Sequence, residues 1–191
     1  MMRRFDVSDL PVSRWKNGGG ETREIASWPP YVEADAFDWR VSVASITASG
    51  DFSLFPGVDR TIMLIEGDGV HLRADGIDHR LDTPYQPFEF SGDLAVHCTL
   101  LGSDSTDFNV MCRRERCVAA VRVFDEASKL APAEHGLMLC VRGQWQAGGG
   151  TLKQGQGVWW GDQPERWRIS PASRDALLVA VGWSFLPEAV A

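Results

Sequence analysis

Side chains that can bind an anion are concentrated in three short strings of this 191-residue sequence. The first reads WKNGGGET at 15–22, the second reads FPGVDR at 55–60, and the third reads DFNVM at 107–111. Together they supply ammonium, guanidinium, amide and carboxylate groups. Guanidinium and amide donors recognise carboxylates by hydrogen bonds, so the three strings predict a binding site for a small anionic molecule.

Arg60 is the residue on which this prediction depends. A guanidinium presents a planar fork of donors that can hold a carboxylate bidentately, and Lys16 and Arg40 would add positive charge. Arg60 follows a Pro-Gly pair and leads into an apolar run, so we expect it at the mouth of a pocket. The alternative is a surface arginine that pairs with Asp59 or Glu66.

The third string has the alternation of a strand. Period two would place Asp107, Asn109 and Met111 on one face and the apolar residues between them on the other. A carboxylate and an amide on one face could hold polar groups of a ligand. Asp107 could act as a general base if a substrate proton lies within reach. The alternative is a structural ion pair of Asp107 with Arg113 or Arg60.

The glycine run at 18–20 is the most unusual local feature. Three consecutive glycines supply no side chain, but they allow conformations and close approaches that other residues resist. Their N–H groups could form an anion-binding nest, with Trp15, Asn17 and Thr22 around it. The run is not a P-loop, because Gly-Lys-Ser/Thr is missing, and no βαβ unit surrounds it. The alternative is a flexible turn.

The sequence predicts no metal and no cofactor. The four histidines stand at 71, 79, 97 and 135 without an HxH pair, and the four cysteines at 98, 112, 117 and 140 form no CxxC motif. His97 lies in a predicted strand and could point inward, but one histidine makes a poor metal site. No GxSxG nucleophile motif is present either.

Strands are the dominant secondary-structure prediction. Asp38–Ile46 alternates apolar and polar residues, and further short apolar runs are separated by Gly, Pro and Asp. Helical periodicity is weak, with single turns expected at 7–12 and 125–130. Glycine accounts for 19 of the 191 residues, which suits many tight turns. The sequence therefore predicts an all-β fold.

An internal repeat predicts two units. An apolar strand ending in glycine, an aromatic strand followed by Gly-Asp and a second apolar strand ending in glycine occur as IMLIEG, FEFSGD and LAVHCTLLG. The same order returns as LMLCVRG, VWWGD and LLVAVG. Such strands are typical of jelly-roll β-barrels, although any β-rich chain contains Gly-terminated strands. We predict a pocket-bearing unit at 1–116 and a more structural unit at 117–191.

The three strings also resemble the HutD/Ves family, with the third extended to DSTDFNVM at 104–111. The resemblance covers the chain from Arg14 to about Trp183. It implies a cupin-like, RmlC-like bicupin with two jelly-roll units and a link to bacterial histidine utilisation. Metal-dependent cupins have two histidines and a glutamate where this sequence has Ser53, Phe55 and Arg60. The resemblance implies the fold more directly than the function.

Charge and composition argue against several function classes. Lys and Arg total 19 against 26 for Asp and Glu, and the net charge of −7 disfavours a nucleic-acid partner. The apolar runs are too short to span a bilayer, and no apolar region follows the N-terminal arginines as in a signal peptide. We expect a cytoplasmic protein with free thiols and no membrane partner.

Three functions remain open. The first is a metal-free protein that binds a small carboxylate metabolite, such as urocanate or a formyl or formimino glutamate, as a sensor or modulator of histidine utilisation. The second is a cofactor-free isomerase or hydrolase acting on a similar anion, with Asp107 as base and Arg60 and Lys16 stabilising negative charge. The third is an interaction module whose tryptophan-rich C-terminal part forms a homodimer or contacts a protein.

Overall fold

The computed structural model describes residues 1–30 and 36–187, and their regular structure is almost entirely β. The all-β prediction is confirmed. The chain forms two compact units, which we call the central unit (Pro11–Cys117) and the terminal unit (Met1–Leu10 with Val118–Ala191). The first ten residues lie with the C-terminal part of the chain, whereas the repeat pattern assigned them to the first unit. Strand pairing between Met2–Asp6 and residues 156–160 explains this difference.

The strands of the described residues are numbered in chain order: β1 (Met2–Asp6), β2 (Val12–Arg14), β3 (Gly20–Trp28), β4 (Trp39–Ile46), β5 (Gly50–Asp51), β6 (Val58–Glu66), β7 (Val70–Ala74), β8 (Ile77–Leu81), β9 (Phe88–Ser91), β10 (His97–Leu100), β11 (Ser105–Arg113), β12 (Cys117–Phe124), β13 (Ser128–Lys129), β14 (His135–Arg142), β15 (Gln144–Ala147), β16 (Gly150–Lys153), β17 (Gln156–Trp160), β18 (Arg168–Pro171) and β19 (Leu177–Phe185).

The central unit contains two antiparallel sheets. The larger has six strands in the order β2-β3-β4-β11-β6-β9, and the smaller has four in the order β5-β10-β7-β8. Apolar side chains from both sheets form its core: Ile46, Ile62, Leu64, Val70, Leu72, Leu81, Phe90, Val96 and Cys98. Burying each large aliphatic side chain contributes about 1.5–3 kcal/mol, so this contact holds the two sheets together.

The middle strands of the six-stranded sheet are buried on both faces. On β4, Trp39 and Val41 are fully buried, and so are Ser42 and Ala44, which point the opposite way. The same holds on β11, where both Phe108 and its polar neighbours are buried. Polar residues on these strands therefore lie inside the protein rather than on a solvated face.

The terminal unit also contains two sheets, in the orders β1-β17-β14-β19-β12 and β13-β18-β15-β16. Tryptophans are central to its core, and Gly136 on β14 leaves room for the Trp160 ring, with which a side chain at that position would collide. The five tryptophans from 145 onward are all at most 7% exposed. They build this core and do not form the exposed apolar face that an interaction module would use.

The sheets are not closed barrels, and the sequence-based expectation of β-barrel units is corrected here. In each unit, hydrogen-bonded ladders define two separate sheets, and none of the described ladders joins the edge strands of one sheet to those of the other. Several edge strands are too short to extend a ladder, since β2 has three residues and β5 has two. In the central unit, the two sheets share an apolar core as in a β-sandwich.

Two local expectations differ from the structure. The turn expected at 7–12 is present as a 3-10 turn, Val7–Asp9, whose first N–H groups are capped by the Asp6 carboxylate. The turn expected at 125–130 is instead β13, which pairs with β18. Pairing with a distant strand overrides the weak local signal. No helix in residues 1–30 or 36–187 is long and apolar enough to cross a membrane.

The expectation of free thiols is corrected for one pair. A tight turn in which Arg116 N donates to Arg113 O joins β11 to β12. This turn brings the Cα atoms of Cys112 and Cys117 to 6.1 Å, and the structure pairs the two residues in a disulfide. Cys98 and Cys140 are free and buried, as expected of core residues.

A substitution at Gly20 tests the packing of the β2–β3 hairpin. A Cβ added to Gly20 would collide with the carbonyl oxygen of Ser45 and lie 3.2 Å from the Trp15 ring. We expect Gly20→Ala to lower the free energy of unfolding by about 1–3 kcal/mol, since backbone must move. Urea denaturation measures this change.

Gly50→Ala is the matched control, because its added Cβ would meet only Asn17 Nδ2, at 3.6 Å. We expect a change within about 0.5 kcal/mol for this variant. Equal stability of the two variants would show that the hairpin does not need a glycine at position 20.

Candidate functional site

A cavity of about 420 Å³ lies in the central unit between the six-stranded sheet, the β2–β3 hairpin and the segment that follows β5. All eight residues singled out from the sequence line it: Trp15, Lys16, Asn17, Thr22, Arg40, Arg60, Asp107 and Asn109. The structure thus brings together three strings that are up to 96 positions apart in the chain (residues 15–111). Sequence reasoning missed Arg14, Ser42, Phe52 and Met111, which also line the cavity.

Strand register explains how these residues meet. Met111 on β11 lies opposite Arg40 on β4 and opposite Arg60 on β6. Asn109 lies opposite Ser42, and Asp107 is one further step along the same face. The expected alternation on β11 is observed, because Asp107, Asn109 and Met111 all line the cavity. Ser42 could have been found by extending that argument to β4.

Arg60 is buried among aromatic rings. The residue is only 5% exposed. Its Cζ atom lies 4.9 Å, 5.2 Å and 5.6 Å from the ring centroids of Phe90, Phe52 and Phe55. Ring faces attract a cation more strongly when water is excluded. The rings therefore hold the guanidinium in place while leaving its donors available.

The guanidinium of Arg60 also lacks a full set of partners. Its buried Nε has no hydrogen-bond partner in the described structure. Burial lowers the pKa of Arg60 to about 10, the charge of Asp107 opposes this shift and the charge of Arg40 adds to it. Arg60 stays charged at neutral pH, so the cavity contains a desolvated cation that an anionic ligand would stabilise.

The alternative of a surface ion pair for Arg60 is wrong. Asp59, its neighbour on β6, is exposed and pairs with Arg114 at 2.7 Å. Strand alternation sends the two side chains to opposite faces of the sheet. The expected position at a mouth is also corrected, because Arg60 is only 5% exposed and lines the cavity from within the unit.

Asp107 is the second buried charge of the site. The residue is 2% exposed, and its Oδ1 has no hydrogen-bond partner. Burial raises its pKa to about 7, although the positive charge of Arg60 acts to lower it. Arg113, considered as a structural partner, donates instead to the Phe37 carbonyl oxygen. Asp107 thus interacts with Arg60 as a charge and can exchange a proton near neutral pH.

Arg40 is less available than Arg60. Its Nε lies 2.8 Å from Glu24 Oε2 on the neighbouring strand β3, without the alignment of a hydrogen bond. The Arg40 side chain is 20% exposed. Because Glu24 balances its charge, Arg40 adds less positive potential to the cavity than the sequence suggested.

The glycine run forms an ordered hairpin turn, and the anion-nest prediction is wrong. Gly18 N donates to Trp15 O, and Gly19 N donates to Asn17 Oδ1 at 2.9 Å. Gly18 has a positive φ of 72°, which L residues rarely adopt. Since these N–H groups are used within the turn, they cannot bind an anion.

The hairpin supplies a wall of the cavity instead. Trp15 Nε1 donates to Thr22 Oγ1 at 2.8 Å, and the Trp15 ring meets the Phe52 ring edge to face at 6.3 Å. Lys16 and Asn17 are exposed at the rim. The amide oxygen of Asn17 holds the turn, so Asn17 shapes the site more than it offers donors.

The lining residues do not fit a transition metal. Ser53, Phe55 and Arg60, at the positions of ligands in metal-dependent cupins, all line the cavity, and two buried or half-buried arginines would repel a cation. His97 does not point inward; its side chain is 54% exposed and pairs with Asp51 at 2.6 Å. No group of three His, Cys, Asp or Glu within residues 1–30 and 36–187 could hold a metal ion.

Comparison with known proteins decides the family. The HutD family model matches residues 7–179. The chain is 40% identical to Protein Ves of Citrobacter koseri over 193 aligned positions, which cover 99% of this chain and 100% of the relative.

This chain belongs to the HutD/Ves family.

Solved structures agree with this assignment. A conserved protein of unknown function from Pseudomonas aeruginosa PAO1 superposes with a TM-score of 0.87 at 31% identity, covering 96% of this chain and 99% of the other. HutD from Pseudomonas fluorescens SBW25, in a structure described for a formate condition, gives 0.86 at 28% identity over 98% and 100%. A cupin 2 conserved barrel domain protein from Leptotrichia buccalis, at 9% identity and a TM-score of 0.58 over 95% and 96%, shows the cupin-like fold alone.

The buried Asp107 predicts a pH dependence of stability in this HutD/Ves protein. Its pKa of about 7 lies above the ordinary value of 3.8, so the folded state holds this proton more tightly than the unfolded state. Stability from this group is full below pH 4 and is lost as pH rises towards 7. We expect Asp107→Asn, which cannot ionise, to gain stability over the parent protein between pH 4 and pH 8.

Urea denaturation at several pH values measures this difference. Asp75→Asn, at an exposed turn of the same unit, is the control and should follow the parent protein at every pH. A constant stability difference between Asp107→Asn and the parent protein across the range would contradict the raised pKa.

Proposed function

We propose that this protein binds a small carboxylate metabolite in the central cavity, without a metal, and that binding senses or modulates flux through histidine utilisation. The observation that carries the proposal is the buried, charged guanidinium of Arg60, which lines the cavity and has an unpartnered Nε. A ligand carboxylate would supply the missing anion and could be held bidentately.

The surroundings of Arg60 favour a small ligand. A cavity of about 420 Å³ lies within the usual size range for small-molecule sites. Twelve of its seventeen lining residues are polar or charged, and the rings of Trp15, Phe52 and Phe55 form the main apolar part of the wall, which suits a small polar anion. Because most charges at the rim are exposed, discrimination between ligands would depend on the buried residues Arg60, Asp107 and Asn109.

The family points to the ligand class. Urocanate and formyl or formimino glutamate all carry carboxylates, and they belong to the pathway after which the HutD family is named. The formate condition of the Pseudomonas fluorescens HutD structure concerns the simplest carboxylate. We therefore propose a carboxylate of histidine breakdown as the ligand.

The remaining features of the proposal concern the organisation and setting of the protein. The central and terminal units each contain two sheets, which supports a duplicated bicupin with the ligand pocket in the first unit. The net charge of −7 supports the absence of a nucleic-acid partner. We propose a cytoplasmic location, no membrane partner and a homodimer.

Calorimetric titration with formate and acetate tests the role of Arg60. We expect Arg60→Met, which keeps an unbranched side chain that can pack among the rings but is shorter and uncharged, to weaken binding by at least about tenfold, since charge-assisted hydrogen bonds are lost. Arg60→Lys keeps the positive charge but loses the bidentate guanidinium donors. Its affinity for carboxylates should therefore lie between that of the parent protein and that of Arg60→Met.

Arg80→Met is the control for these titrations. Arg80 is on β8, where it pairs with Asp82 at the surface, and its loss should leave the affinity unchanged. Retention of carboxylate binding by a folded Arg60→Met protein would contradict the proposal.

A second function is favoured by one observation, the pKa of about 7 for Asp107. A carboxyl that exchanges its proton near neutral pH can act as a general base or acid, with Arg60 stabilising negative charge that develops on the substrate. The alternative is therefore a cofactor-free isomerase or hydrolase acting on a similar carboxylate.

Proton NMR of candidate carboxylates incubated with the protein tests this alternative. We expect any turnover to be lost in Asp107→Asn while binding through Arg60 is retained. Turnover that persists in Asp107→Asn would exclude Asp107 as the base, and binding without turnover of any candidate would leave the sensor function as the better description.

A further inference from the structure

Given that the cavity binds a carboxylate, as proposed above, we infer that its ligand also carries an N–H donor, an amide, amine or azole, which Asp107 and Asn109 accept. Arg60 would hold the anionic end of the ligand and the two β11 side chains would hold the nitrogen end. The carboxylates named above all carry an N–H group, and the inference assigns recognition of that group to Asp107 and Asn109.

The evidence is a pair of buried acceptors without donors. Oδ1 of Asp107 and Oδ1 of Asn109 are both inaccessible to solvent and both lack a hydrogen-bond partner in the described structure. The residues are 2% and 8% exposed, and both line the cavity. Buried acceptors without partners are costly and uncommon in folded proteins. Because both residues line the cavity, rotation of each side chain about χ2 would turn its Oδ1 toward a ligand that donates.

The position of the acceptors relative to Arg60 sets the form of the ligand. Arg60 lies opposite Met111 in the strand register, so Asn109 and Asp107 are two and four residues further along β11. At about 3.4 Å per residue, these steps place the two β11 Cα atoms roughly 7 Å and 13 Å from Met111. A ligand that reaches from Arg60 to these side chains has its carboxylate and its N–H group at different ends.

The charge of Asp107 is a second reason to expect a donor on the part of the ligand that lies near it. A second carboxylate placed against Asp107 would meet another acceptor and a partial negative charge, which disfavours a simple dicarboxylate. The charged group that acts on Asp107 from a neighbouring strand is Arg60 on β6, and Arg40 on β4 acts on Arg60. Burial and the charge of Asp107 raise the pKa of the Cys98 thiol on β10 to about 12, so this thiol stays neutral.

Proton exchange at Asp107 makes the selectivity depend on pH. Below pH 7 the carboxyl is largely protonated, and above it the carboxylate is a stronger acceptor for an N–H donor. Glu24 is paired with Arg40, Asp51 is paired with His97, and Lys16 is exposed at the rim. We expect the preference for an N–H ligand over its oxygen analogue to increase from pH 6 to pH 8.

The test uses two pairs of carboxylates that differ only in N–H against oxygen. The first pair is N-acetylglycinate and acetoxyacetate, and the second is 3-(pyrrol-2-yl)acrylate and 3-(furan-2-yl)acrylate. Calorimetric titration should give the N–H member of at least one pair about tenfold higher affinity, as expected for a hydrogen bond to a buried acceptor. Acetate serves as the reference ligand for the carboxylate site.

Variants separate this inference from the underlying proposal. Asp107→Leu should abolish the preference and tighten acetate binding, because it removes the negative charge that acts on Arg60, and Asn109→Leu should reduce the preference. Thr106→Val, on the same strand but not among the lining residues, should leave the preference unchanged. Acetate binding that is lost in Arg60→Met, together with no preference for either N–H member, would overturn the inference but leave the proposed function intact. Absence of acetate binding would instead remove the proposed function.

Discussion

A guanidinium buried without a matching anion is the constraint around which the central unit is organised. Arg60 is enclosed by three phenylalanine rings, is 5% exposed and keeps its charge at neutral pH. Burying a charge without a partner is costly. The rings and the opposing charge of Asp107 offset part of this cost, and a carboxylate ligand would offset more of it. A desolvated cation of this kind stabilises the fold less than an apolar side chain would. This cost supports the proposal that Arg60 serves to bind a ligand.

The architecture of the sheet allows this arrangement. A sheet with one solvated face would let polar side chains reach water, but β4, β6 and β11 are buried on both faces. Polar residues in the middle of these strands therefore meet each other or the cavity, whereas Asp59 and Glu66, towards the ends of β6, are exposed. The antiparallel register then aligns Arg40, Met111 and Arg60 across three strands. On β11, the alternate residues Asp107, Asn109 and Met111 lie along one wall of the cavity.

The difference from metal-dependent cupins lies in the sign of the charge at the site. Imidazole and carboxylate ligands create a place for a cation, whereas arginine at the corresponding region creates a place for an anion. The same fold can present either a cation site or an anion site, because the stability of the β-sandwich depends on its apolar core and little on the residues that line the cavity. Similarity of fold to cupins therefore carries little information about ligand chemistry, and the HutD/Ves relationship carries more.

The sequence alone determined the all-β class, because period-two alternation and short turn-bounded strands are local properties of the chain. Its motifs also gave the HutD/Ves resemblance and eight of the residues that line the cavity. It did not determine which face of β4 is inward, since both faces are buried. Only the tertiary structure showed that the glycine run uses its own N–H groups, that Glu24 balances Arg40, and that β1 joins the terminal unit. These features depend on contacts between segments distant in the chain or on exact hydrogen-bond geometry. The burial of Arg60 and Asp107 is likewise visible only in the tertiary structure. Their pKa values shift because desolvation depends on the packing of the whole unit and not on any single residue.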